Sequence, residues 1–169
     1  LKINAWFLDD GVQVGTKEEL EKVVEILKRE GPARGLILST ADTVSHPAMP
    51  KTTVWSPLNP SENPDPLQHG VPWVKDQGIT LLGAPVGFSN FIRESLQQRI
   101  DKVQEITALL PNLKDPHTEY ALLKSCLSLP KLMFSLRTVE TTGLQDLLRE
   151  FDRLTREALT RILGSPMSD

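Results

Sequence analysis

The sequence predicts an α+β protein, with short strands and one helix in its first half and an all-helical bundle in its second. Two observations carry that expectation. As far as Gly87 the apolar residues come in short runs broken by glycine and proline, whereas beyond it they recur at steps of three and four. Between the two regimes, Pro47, Pro50, Pro57, Pro60, Pro64, Pro66 and Pro72 forbid continuous helix.

Taken in order, Ile3 to Leu8 and Val12 to Val14 are two apolar runs around Asp9-Asp10-Gly11. An Asp-Gly pair between such runs predicts a β-hairpin turning at those three residues. Thr16 then opens a capping box with Glu19, and Leu20, Val23, Val24 and Leu27 share one helical face until Gly31-Pro32 stops the helix. Gly35 to Leu38 reads as a third strand. The proline-rich connection that follows holds one more, Thr52 to Ser56, with 59–65 as its loosest part. Ile79 to Leu82 is a strand running into a corner, Gly83-Ala84-Pro85-Val86-Gly87.

The second half is written in helical stripes. Ile92, Leu96, Ile100, Val103 and Ile106 form the first, ended by Pro111. Asp115 caps the second helix with Pro116 at its first position, and Leu122, Leu123, Cys126 and Leu127 are its apolar stripe. Pro130 bends or splits that helix ahead of Leu132, Met133 and Leu136. The third stripe runs from Leu144 through Leu147, Leu148, Phe151, Leu154 and Ala158 to Ile162, stopped by Gly164 and Pro166. Three such helices on short connections should pack as an antiparallel bundle. The expected subdomains are 1–87 and 88–169.

Composition narrows the function. The chain has 169 residues, a net charge of −3 and 39% hydrophobic residues, enough for one domain or two small ones and too little positive charge to coat nucleic acid indiscriminately. One cysteine, Cys126, excludes a disulfide framework and a cysteine-rich zinc site, and fits a reducing compartment. No apolar run approaches the roughly 20 residues of a membrane span, and no charged leader precedes an apolar stretch, so an intracellular protein without membrane contact is expected. Opening at Leu1 inside a strand, the chain reads as a piece of something longer.

The candidate chemistry centres on Asp9 and Asp10. Two like charges about 4 Å apart repel by about 1 kcal/mol in water and by about 4 kcal/mol at an effective dielectric of about 20. The apolar run Ala5-Trp6-Phe7-Leu8 draws them toward the higher figure, and a hard divalent cation reverses the sign. Ordinary turn chemistry is the plain alternative.

Phe7-Leu8-Asp9-Asp10, an aromatic, any residue and two aspartates on a hairpin, resembles the metal-binding box of reverse transcriptases, where the aromatic is usually tyrosine. Further segments are similar in order: the glycine-terminated helix, Gly35-Leu36-Ile37-Leu38, Lys51-Thr52-Thr53-Val54-Trp55, and Leu81 to Gly87, which resembles the primer-grip turn. Leu122 to Leu127 and Pro130 to Thr138 resemble the following helical part in retroelements without long terminal repeats. The resemblance implies the end of a polymerase palm followed by a thumb. It implies Asp9 and Asp10 as ligands of Mg²⁺ (or Mn²⁺), and Lys51 as the lysine that neutralises the departing pyrophosphate, its other reading being a solvated strand-end lysine. Gly83, Ala84, Pro85 and Gly87 would approach the primer backbone, so the implied partners are an RNA/DNA primer–template and deoxynucleoside triphosphates.

The family also requires a third aspartate on an earlier strand. Asp42 is a poor substitute, so the chain alone is expected to be an inactive fragment of an RNA-directed DNA polymerase. The alternative is a non-catalytic, retroelement-derived interaction module. Arg93, Arg99, Lys102, Lys124, Lys131, Arg137 and the arginines of the last helix are interleaved with acids, which predicts a solvated surface more than a phosphate track. His46, His69 and His117 lack metal-ligand spacing, Cys126 belongs to an apolar stripe and so to the core, and Trp6 and Trp55 favour the core.

Overall fold

The computed structural model describes residues 1–8, 10–40, 50–58, 67, 70–74 and 76–165. It is of mixed α+β character, with two antiparallel hairpins and a set of helices. Two compact units divide after Asp76, ahead of Gly87. No helix of the described residues is long and apolar enough to cross a membrane.

The first unit opens with β1 (Ile3–Phe7) paired to β2 (Asp10–Val14). The expected hairpin forms, but Asp10 and Gly11 lie outside its turn. Phe7 faces Asp10 and Trp6 faces Gly11, so Asp10 and Gly11 belong to a strand, while Leu8 takes the left-handed conformation at φ 56°. Gly11 serves close approach rather than turning: a Cβ there would stand 2.7 Å from the Trp6 ring. Trp6 is not a core residue. It lies exposed along the hairpin, its indole N–H donating to Asn4 Oδ1 at 3.0 Å.

Helix α1 (Lys17–Glu30) starts at Thr16 with both halves of the capping box made. It ends at Gly31, where a Cβ would meet the Leu27 carbonyl oxygen at 2.3 Å and that of Leu36 at 2.6 Å. A 3₁₀ turn (Pro32–Arg34) and a left-handed Gly35 follow. Neither Gly35 to Leu38 nor Thr52 to Ser56 forms the expected strand. Thr52 donates to the Ser39 carbonyl at 2.9 Å, and Val54 makes one isolated parallel bridge with Trp73. For the second run proline is the reason: Val54 N–H donates to the Pro72 carbonyl and its own carbonyl accepts from Val74 N–H, but Pro72 has no N–H to extend the ladder toward Thr52. Val24, Leu67 and Val71 are buried together, with Leu20, Leu38 and Val54 packed around them.

The second unit begins with β3 (Gly78–Leu81) and β4 (Ala84–Gly87). Of the expected corner Gly83 to Gly87 only Gly83 turns, and Ala84 to Gly87 are this second strand. The chain reverses at Leu82 and Gly83, whose φ of 48° and 84° are both positive, as the right-handed twist of a two-residue hairpin loop requires. Gly78 pairs with Gly87, and a Cβ on Gly87 would lie 2.4 Å from Gly78 Cα and from the Gln77 carbonyl oxygen. On Gly78 it would strike the Phe91 ring at 2.4 Å, so both glycines let the hairpin seat on the next helix.

Helix α2 (Ser89–Leu109) buries Leu96, Ile100 and Val103, the predicted stripe. A 3₁₀ turn (Leu110–Leu113) carries Pro111, and Asp115 caps α3 (Pro116–Leu122) by accepting from the backbone N–H of His117 and Thr118. A π-helical turn (Leu123–Leu127) then leads to α4 (Leu129–Thr138), with Pro130 in its first turn, and α5 (Gln145–Leu163) ends at left-handed Gly164. Leu96, Ile100 and Val103 pack with Leu132, Leu144, Leu147 and Phe151. Further along, Leu110, Leu123, Leu127 and Ala158 form a second cluster, joined by Ile106 and Ile162. Early α2 thus meets early α5 and late α2 meets late α5, while the α3–α4 leg runs back between them.

The π turn corrects one expectation. Leu123 and Leu127 are buried, but Cys126 is exposed and Leu122 largely so. Ser128 N–H reaches back five residues to the Leu123 carbonyl at 2.8 Å, and this wider turn rotates Cys126 out of the stripe a regular helix would share.

Candidate nucleic-acid interface

The second unit carries an open groove of about 450 Å³ lined by Thr80, Ser95, Gln98, Arg99, Lys102 and Lys131. Thr80 comes from β3, the next four from α2 and Lys131 from α4. The spacing on α2 explains their convergence, since positions 95, 98, 99 and 102 step by three and four along one face. Lys131 joins them because Pro130 restarts the helix there. Every lining side chain offers a hydrogen-bond donor, three are cations and none is a carboxylate. Lys102 also meets Glu105 at 3.3 Å, an exposed pair on the helix surface. Such pairs hold their partners weakly.

Arg99 is tied on both arms. Nη1 donates to Ser135 Oγ of α4 at 2.8 Å, and Nη2 donates to the carbonyl of Gly83 at the hairpin tip. Ser135 is 1% exposed, which makes this bond a partly buried one. Away from the groove, Arg93 of α2 grips Asp146 and the Gly143 carbonyl ahead of α5. The hydrogen bond from Arg93, aided by its charge, holds the Asp146 carboxyl below its ordinary range and raises the guanidinium in turn.

The residues singled out by sequence are distributed over both units. Asp9 lies outside the described residues, as do Asp42, His46 and His69. Asp10 is exposed at the first position of β2, next to Phe7 and Leu8, which are 64% and 86% exposed. Lys51 is exposed too, its backbone N–H donating to Ser39 Oγ at 3.1 Å. Among the described residues no three of His, Cys, Asp and Glu gather where one cation could be held.

In the second unit, Gly83 stands at the hairpin tip with only the Phe134 ring near its missing Cβ, at 3.6 Å. Ala84 is half-buried and Pro85 buried, and Gly87 faces Gly78 within the hairpin. The bareness of Gly87 is therefore taken up by its own cross-strand neighbour, and Gly83 alone of the four has an open approach. Sequence reasoning placed Arg99, Lys102 and Lys131 on a mixed surface and did not see Thr80, Ser95 and Gln98 as their neighbours. No protein-family model, curated protein or solved structure matches the chain.

Proposed function

We propose that the chain is the end of the palm and the thumb of an RNA-directed DNA polymerase of the retroelement type. It holds a primer–template duplex against the groove between the β3–β4 hairpin and the helices. The observation that carries this reading is the make-up of that groove: Arg99, Lys102 and Lys131 converge with three neutral donors and no carboxylate beside the Gly83 turn. A surface of donors and cations without acids suits the phosphodiester backbone, whose binding releases counterions.

The first hairpin supports the same reading, since its sequence Phe7-Leu8-Asp9-Asp10 reverses direction ahead of Asp10. Asp9 and Asp10 are the proposed ligands of Mg²⁺ or Mn²⁺, ions that activate a primer 3′-hydroxyl and neutralise a departing pyrophosphate. Two carboxylates make a weak cage, and a further one must come from the rest of the palm. Lys51 is proposed to meet the pyrophosphate of the incoming deoxynucleoside triphosphate.

Primer extension on an RNA template tests the reading, using the chain extended upstream in its reading frame. Synthesis is expected with Mg²⁺, and none from the Asp9→Asn variant with its folding intact; equal synthesis by both would falsify the assignment. The duplex-holding part has its own test in the 169-residue chain. Affinity for an RNA–DNA hybrid should fall with salt, and Lys102→Ala and Lys131→Ala should each flatten the log–log slope by roughly 0.9.

A further inference from the structure

The groove and Arg99 involve the same three elements. Thr80 of the β3–β4 hairpin, four residues of α2 and Lys131 of α4 line the groove, while Arg99 of α2 bonds the hairpin through Gly83 and α4 through Ser135. The tip it holds is strained. Leu82 is an exposed non-glycine residue in the left-handed region, a conformation that persists only where its surroundings over-determine it.

We infer that Arg99 is a positioning residue, a latch that fixes the Leu82–Gly83 turn against α2 and α4 and so sets the width of the groove. The inference rests on the nucleic-acid reading above for the groove's ligand, but not for the latch itself. Both guanidinium arms are already committed to protein acceptors, one of them a side chain in the core. Lys131, and Lys102 in exchange for its exposed partner Glu105, are left to meet phosphate. The planar fork matters: it aims two separate nitrogens at acceptors on different elements, where lysine offers one freely rotating ammonium with no fixed directions.

The latch predicts how charge and geometry separate. Amide hydrogen exchange across Leu81 to Ala84, and affinity for a labelled RNA–DNA hybrid over a range of NaCl concentrations, are to be measured for wild type, Arg99→Lys and Ser135→Ala. Arg99→Lys keeps the charge, so the expected result is exchange about tenfold faster at the turn and binding about tenfold weaker, with an unchanged salt slope. Ser135→Ala removes no charge and should shift both readouts the same way by a smaller factor. Unchanged exchange in both variants overturns the latch. Faster exchange with undiminished affinity overturns its positioning role. If wild type fails to bind the hybrid, the polymerase reading falls and the exchange data alone decide whether the latch stands.

Discussion

Two leucines and one ion pair carry backbone or charge arrangements that sequence patterns do not announce. Leu8 and Leu82 both sit in the left-handed region, one at each hairpin, where a side chain costs about 1–2 kcal/mol. Replacing the second, Leu82→Gly, should raise the melting temperature, because relief of that strain exceeds the entropy glycine adds to the unfolded chain; an unchanged or lower value in a thermal scan would show the strain is not there. The Arg93–Asp146 pair gives a pH signature. Since the folded carboxyl is held below its ordinary value of about 3.9, the pair's contribution is fully present above that pH and is lost as pH falls through the lowered value. The difference in melting temperature between wild type and Asp146→Asn should therefore be constant near neutrality and shrink below about pH 4. At this same scale the sequence misled on Cys126, whose surroundings depend on one extra residue in a helical turn.

At the scale of elements, caps and stops were the most legible features, because they are local. Thr16 with Glu19, Asp115 with Pro116, and Gly164 each act within one turn of their own position. Asp115→Ala should cost about 1 kcal/mol in urea denaturation, the usual loss of a side-chain cap. Gly87→Ala should cost more, about 1–3 kcal/mol, because the added methyl meets backbone atoms at 2.4 Å and backbone cannot rotate away. A smaller loss for Gly87 than for Asp115 would mean that the two strands of this hairpin are not packed as described. Strands were less legible than helices. The runs at Gly35 and Thr52 have the composition of strands, yet a strand exists only with a partner, and Pro72 has no N–H to carry the ladder from Val54 back toward Thr52.

For the molecule as a whole, the division of the chain follows packing rather than texture. The periodicity changes at Gly87, but the β3–β4 hairpin belongs with the helices because Gly78 admits the Phe91 ring and Arg99 holds the tip. The core of that unit centres on Leu132, fully buried between α2 and α5, so Leu132→Ala should cost about 2–5 kcal/mol by chemical denaturation. By itself the sequence determined the α+β class, the caps at Thr16 and Asp115, the apolar stripes of α2 and α5 and the acidic pair after Phe7-Leu8. All of these depend on neighbours within a few residues, where propensity and periodicity act. The tertiary structure alone decided where the first hairpin turns, which way Cys126 faces and which cations converge. Thr80, Arg99 and Lys131 meet only because a hairpin, a helix and a restarted helix pack together. Such a meeting is set by burial of Leu96, Ile100 and Leu132 over long sequence separations, and no local pattern encodes it.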